Sequence, residues 1–206
     1  IINQAQLSYF DGSGTRTATA SVTVTVSLVP AALTIVPGPN QSTSYSAGAT
    51  LTDSFTVTAA ANGPDTYNIT TTVAGSTNTT GATATPVTAT VTLGSSVITA
   101  GSTASVIVVP ADGNLPGEVP GVNGIAVGDT VVINGEARIV SAIVDNATGT
   151  STITLASGLS GPPLAGVLVA ERQVIQATVT PGTISTPGTD VTVSVTATVT
   201  SVTNGS

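Results

Sequence analysis

The sequence predicts an all-β protein: a β-sandwich with a small β-meander or barrel inserted into it. Three observations carry that expectation. The first is vocabulary. The 206 residues are 40% hydrophobic, yet only 2% aromatic and 6% charged. The apolar mass is Val, Ala, Ile and Leu and the polar mass is Thr and Ser, and β-branched side chains sit well on a pleated surface. The second is period. Apolar and small polar residues alternate along the chain, and the i, i+3, i+4, i+7 spacing of an amphipathic helix is absent over any long window. The third is punctuation. Turn signals at roughly 8–12-residue spacing separate short runs, as in sandwiches and barrels. The low charge does not imply disorder, which goes with low hydrophobicity and high net charge; here the mean hydropathy is +0.45.

Taken in order, the first predicted strand is 2–10, "INQAQLSYF", turned by "DGSG" at 11–14 into 16–28. The second strand contains "ASVTVTVSL", in which Ala20, Val22, Val24, Val26 and Leu28 share one face. Pro30 separates this hairpin from a strand at 32–36, which "PGPN" at 37–40 ends. Strands at 51–61 and 66–74 flank "NGPD" at 62–65, and "GSTNTTG" at 75–81 precedes a strand at 86–93. A strand at 103–109 closes this part. Further strands are expected at 130–134, 137–145, 150–155, 166–170, 173–180 and 190–202. Their turns are "NG" at 134–135, "DNATG" at 145–149 and "TPG" at 186–188. Tyr45, Phe55 and Tyr67 are expected to pack within the sandwich.

Composition shifts once. Residues 110–172 hold six of the ten acids (Asp112, Glu118, Asp129, Glu136, Asp145 and Glu171) and two of the three arginines, Arg138 and Arg172. "PADGNLPGEVPGVNG" leads into a compact β-meander, so 110–172 reads as a small β-domain inserted into a surface loop, where insertions cost little closure entropy. The resulting division is a hairpin at 1–29, a sandwich from 30–109 plus 173–206, and the insert. Two sequential domains are the alternative.

Several function classes are excluded on composition. Nucleic-acid binding needs a basic patch, whereas the net charge is −7 with three arginines and no lysine. The same deficit argues against anionic membrane surfaces. No run approaches the about 18 apolar residues of a membrane helix. With no His, Lys or Cys, Ser or Thr nucleophiles lack a base. "GLSGP" at 158–162 is not a nucleophile elbow. Glu118, Glu136 and Glu171 are the candidate carboxylates for glycoside hydrolysis, but three Tyr and two Phe leave little to stack a sugar. No enzyme activity, cofactor or metal is therefore expected. Zinc lacks its ligands, and the Asp112/Asn114 and Asp145/Asn146 pairs read as turn formers rather than calcium loops. Sequons make Asn40, Asn68, Asn78, Asn146 and Asn204 candidate glycosylation sites. The Thr- and Ser-rich, lysine-free texture points to an extracellular or cell-surface location. A first residue that is Ile suggests a processed product or the ordered part of a longer one.

"NQAQLSYFDGSGTRTATASVTVTV" resembles a segment of the Ig-like conserved repeat domain found in large bacterial and archaeal surface proteins: an Asn-x-Ala, an aromatic-ended strand, an Asp/Gly turn and a Thr/Ser/Val strand. "GATLTDSFTVTAAANGPDTYNIT" at 48–70 is similar to the same repeat, with Asn62-Gly63-Pro64-Asp65 as its specific stretch. The resemblance covers 1–29, 31–109 and 173–202 and leaves out the insert. It departs in lacking the lysine often found in the repeat's first strand, which puts a cross-linking variant in doubt. It implies an Ig-like sandwich, an extracellular structural role and no active site. It also implies an order in which the "N-x-A…DG…TVTV" hairpin closes one repeat and "LTIVPG" opens the next.

In this chain the closing hairpin comes first, and no second one follows "DVTVSVTATVTSVTNGS". Either the hairpin folds back onto its own sandwich, or it completes the sandwich of another copy as a donor strand. Donation would place Ile2, Leu7, Tyr9, Val22, Val24, Val26 and Leu28 in a subunit interface, each large apolar side chain contributing roughly 1.5–3 kcal/mol on burial. The expected function is thus a subunit of an extracellular filament or surface fibre, a homopolymer built head to tail. The alternative is an adhesin or stalk module with the insert as its binding tip; a phage or surface-layer shell component is a weaker third.

Overall fold

Alternating Val/Thr and Ile/Ser runs can satisfy their backbone groups only by pairing sideways, and that is what the chain does. The computed structural model describes residues 2–10, 15–23, 33–38, 49–113, 121–146 and 148–202. Every regular element among them is a strand, every pairing is antiparallel, and there is no helix. The fold is an all-β sandwich, as the composition and period predict.

The N-terminal strands β1 (Ile2–Phe10) and β2 (Thr15–Thr23) pair along their full lengths, Ile2 opposite Thr23 and Phe10 opposite Thr15, as a separate two-stranded sheet. β3 (Thr34–Pro37) and β4 (Leu51–Thr58) belong to a nine-stranded sheet. β5 (Asp65–Thr77) crosses to the opposing sheet. The short β6 (Thr79–Thr80) and β7 (Thr83–Pro86) follow, then β8 (Thr90–Leu93), β9 (Ser95–Val97) and β10 (Val106–Pro110). β11 (Thr130–Ile133), β12 (Glu136–Val144) and β13 (Thr150–Leu155) form a meander. β14 (Leu168–Thr180), β15 (Thr183–Ile184) and β16 (Thr192–Ser201) complete the chain.

The large sheet runs β10-β13-β12-β11-β14-β4-β3, with β7 and β9 also on β14. The second layer of the sandwich is the three-stranded sheet β16-β5-β8. The tight β11–β12 turn is the predicted Asn134-Gly135, with φ of 50° and 81°. Both are left-handed, as the turn that matches strand twist requires. The order β10-β13-β12-β11-β14 stays open, so the meander expectation describes this part and the barrel alternative does not: no closed barrel forms among the described residues.

β14 organises the molecule. The expected strands at 166–170 and 173–180 are one continuous strand. Its start pairs with β9 and β11, its length with β4, and its end with β7. Glu171 and Arg172 interrupt the apolar alternation, which is why the sequence reads as broken there. The ladder nonetheless runs through them, Glu171 opposite Val131 and Arg172 opposite both Thr130 and Thr58.

Apolar side chains collect in two cores. One gathers Ile107, Val109, Val122, Ile125, Val131, Ile153 and Val169, all fully buried, with Ile98, Ile133, Val140, Leu155 and Leu159. It therefore takes Ile98, Ile107 and Val109 from before residue 110. The other lies between the two layers of the sandwich and gathers Phe55, Val57, Tyr67, Ile69, Val91, Leu93 and Ile175. Phe55 and Tyr67 pack there as expected; Tyr45 lies outside the described residues. Burial, then the neighbouring Asp65 carboxylate, pushes the Tyr67 hydroxyl up to about 12.

Candidate functional site

Edge strands expose rows of backbone donors and acceptors, and they decide what a β protein can join. In the three-stranded sheet β5 is central, β8 lies on one side and β16 on the other. β8 packs toward β14 through Leu93 and Ala170. β3 and β16 are edge strands of the two layers, and Leu33 beside β3 and Ala197 and Val199 on β16 pack against the same core. Among the described residues no strand pairs with the outer edge of either.

The two edges differ in what they offer. All four residues of β3 are exposed. Ile35 pairs with Val57, which is fully buried, yet Ile35 is 36% exposed. β16 is ten residues long and alternates: Thr192, Ser194, Thr196 and Thr198 are exposed, while Val193, Val195, Ala197 and Val199 are half-buried. Ala197 and Val199 pack against the sandwich core together with Leu33. Burial also fades along β5, from Tyr67 and Ile69 to half-buried Thr71 and Val73 and then exposed Gly75. The inner face of β16 thus covers a core that is finished at one end and unfinished at the other. Neither edge strand carries a charged residue, so the usual guard against edge-to-edge pairing is missing.

Of the predicted donor residues, Ile2, Leu7 and Tyr9 lie on β1 and Val22 lies on β2, facing Thr23, Ala18, Arg16 and Asn3 in the ladder. Val24, Val26 and Leu28 lie outside the described residues. The order of segments points to a vacancy after the strand at 190–202, which is β16, while its half-burial depends on the opposing layer.

No protein family, curated protein or solved structure matches this chain. Its chemistry has to be read from its own geometry.

The acids are engaged in structure. Ser160 donates its hydroxyl at 2.5 Å and its N–H at 3.2 Å to Glu136, and Arg138 pairs with the same carboxylate. Ser160, with Arg138 beside it, holds that carboxyl below the usual carboxylate range. Glu171 is buried where the two cores meet. Gly94 donates its N–H to the Glu171 carboxylate at 2.8 Å, and Glu171 returns its own N–H to the Gly94 carbonyl at 2.8 Å. Burial pushes the Glu171 carboxyl up to about 7; the Gly94 bond pulls against that shift, and the Asp129 charge adds to it. Asp129, Glu171 and Arg172 line an open groove of about 260 Å³. Glu118 lies outside the described residues.

The turn acids also have local partners. Asn123 donates its N–H to Asp112 at 3.0 Å, and Ser151 donates its hydroxyl to Asp145 at 2.8 Å. Among the described residues no three His, Cys, Asp or Glu side chains gather to hold a metal.

The sequons divide by environment. Asn78 takes a left-handed φ of 58° and donates its amide to the Thr186 and Thr189 carbonyls, while Thr186 donates its N–H back. Asn146 likewise donates its amide to the Thr150 carbonyl at 2.6 Å. Both nitrogens are occupied in the fold. Asn68 is exposed on β5, in the threonine-rich outer face. Asn40 and Asn204 lie outside the described residues. No helix among the described residues is long and apolar enough to cross a membrane.

Proposed function

We propose that the chain is a structural subunit of an extracellular filament or surface fibre, joined head to tail to copies of itself by strand donation. One observation carries this reading. Among the described residues the N-terminal hairpin is laddered only to itself, and no strand pairs with the outer edge of β16 along 192–200. An isolated two-stranded hairpin is marginal in water, and an unguarded edge invites pairing. Each supplies what the other lacks. A contact between two different surfaces of the same chain repeats without closing and yields a fibre. The resemblance of 1–29 and 48–70 to Ig-like repeats of surface proteins supports an Ig-like sandwich, an extracellular setting and a non-catalytic role, with no cofactor.

Electron microscopy of the purified protein beside a variant lacking 1–29 tests it. Filaments from the full chain, and soluble subunits from the deletion, are expected. A full chain that stays monomeric, with a deletion variant that is equally folded and soluble, sinks the proposal.

A further inference from the structure

We infer that the acceptor is the outer edge of β16, which takes the alternating stretch 18–28 of a second copy as the next strand of the β16-β5-β8 sheet. This rests on the strand-donation reading and adds where the donated strand goes.

Three features favour β16 over β3. The first is length. β16 offers the nine residues 192–200, whereas β3 offers four and ends at Pro37, and main-chain pairing is what gives an added strand its affinity. The second is the unfinished core. A strand beside β16 extends the layer that covers the sandwich interior, next to half-buried Val193 and Val195. A strand beside β3 would join residues exposed on both faces. The third is pattern. On β16 an inward row, Val193, Val195, Ala197 and Val199, alternates with an outward row of Thr and Ser. Residues 18–28 have the same period, with Ala18, Ala20, Val22, Val24, Val26 and Leu28 separated by Thr and Ser. A one-residue slip would turn that apolar set outward, so burial selects the register.

The inferred occupant is a second copy: among the described residues β2 is paired with β1 and neither strand is laddered to β16. β2 keeps β1 on one edge and joins β16 through the other. The joined sheet runs β1-β2-β16-β5-β8 across two subunits.

The chain has no cysteine, so engineered disulfides report the contact cleanly; they form only where Cα atoms lie about 4.4–6.8 Å apart. Ser21→Cys is combined, in the full-length chain, with each of Thr192→Cys, Ser194→Cys, Thr196→Cys and Thr198→Cys on the exposed row. A Ser21→Cys/Val36→Cys variant probes β3. Isotope-labelled and unlabelled copies are mixed, allowed to assemble, oxidised and digested, and the linked peptides are weighed while the same sample is imaged. Filaments with a mixed-isotope link from position 21 to β16, and none to position 36, are expected. Filaments linked to position 36, or to neither strand, overturn the β16 assignment and leave strand donation standing. A link to β16 confined to single copies shows the hairpin folding back on its own chain and overturns the second-copy occupant. Absence of both filaments and links overturns strand donation and this inference with it.

Discussion

The two cores share one strand, β14, and are closed to different degrees. Around Ile153 the centre is sealed: Ile107, Val109, Val122, Ile125, Val131 and Val169 have no exposed surface, and the half-buried Ala104, Ile143 and Val167 form its rim. Around Tyr67 the centre is sealed but the rim is not, with Leu33, Ala197 and Val199 half-buried and Ile35 36% exposed. The difference has a structural origin. The first core is capped by its own loops, including the Val122–Ile125 bridge and Leu159. The second is capped by a three-stranded sheet whose edge strand β16 has no outer neighbour among the described residues. On the proposed reading, the open rim is the apolar surface that a second copy covers.

Four changes break or sharpen that contrast. The largest effect is expected from Ile153→Ala, which opens a cavity in the sealed core and should lower unfolding stability by about 2–5 kcal/mol, read from urea midpoints of the soluble protein. Next comes Gly94→Ala. A Cβ there would overlap the backbone of Gly124 and Ile125, forcing apart the seam between the cores at a cost of roughly 1–3 kcal/mol. An unchanged midpoint would mean that the seam is slack.

Glu171 makes the seam sensitive to pH. Its folded pKa of about 7 exceeds the ordinary carboxyl value of 4.5, so between these values the folded state holds more proton than the unfolded state. Its effect on stability is therefore most favourable below pH 4.5, declines as pH rises to about 7, and levels off above. Glu171→Gln should flatten this part of the profile; parallel profiles for the two proteins would refute the assignment. The smallest effect in the soluble protein is expected from Val195→Ala on the open rim, below about 1 kcal/mol. The same substitution should weaken assembled filaments more than subunits, measured by denaturant resistance of each. Equal losses in both would show that Val195 is not covered on assembly.

Much of the fold is legible locally. Val/Thr alternation announces β4, β8 and β16, Asn134-Gly135 announces its hairpin, and Phe55 and Tyr67 are foreseeable core residues because few other large side chains are available. The candidate site is half legible. The apolar row of the proposed donor is written in residues 18–28, but the alternation of β16 does not mark it as the proposed acceptor, since strands that are fully paired carry the same alternation. The continuity of β14 is hidden as well. Glu171 reads as a break, and only the reciprocal bonds with Gly94 and the ladders to Val131 and Thr58 hold the strand straight through it.

By itself, then, the sequence determined strand character, turn positions and the face of each strand that seeks burial, because these follow from side-chain branching, backbone allowance and a period of two. Tertiary structure decided which strands became neighbours, that Ile107 and Val109 joined the Ile153 core, that Asn78 became a latch for the Thr186–Thr189 turn, and that among the described residues no strand joined the outer edge of β16. Those outcomes depend on pairing between segments more than a hundred residues apart, as in Val179 with Leu51 and Ser201 with Tyr67, and alternation is the same whichever neighbour a strand finds.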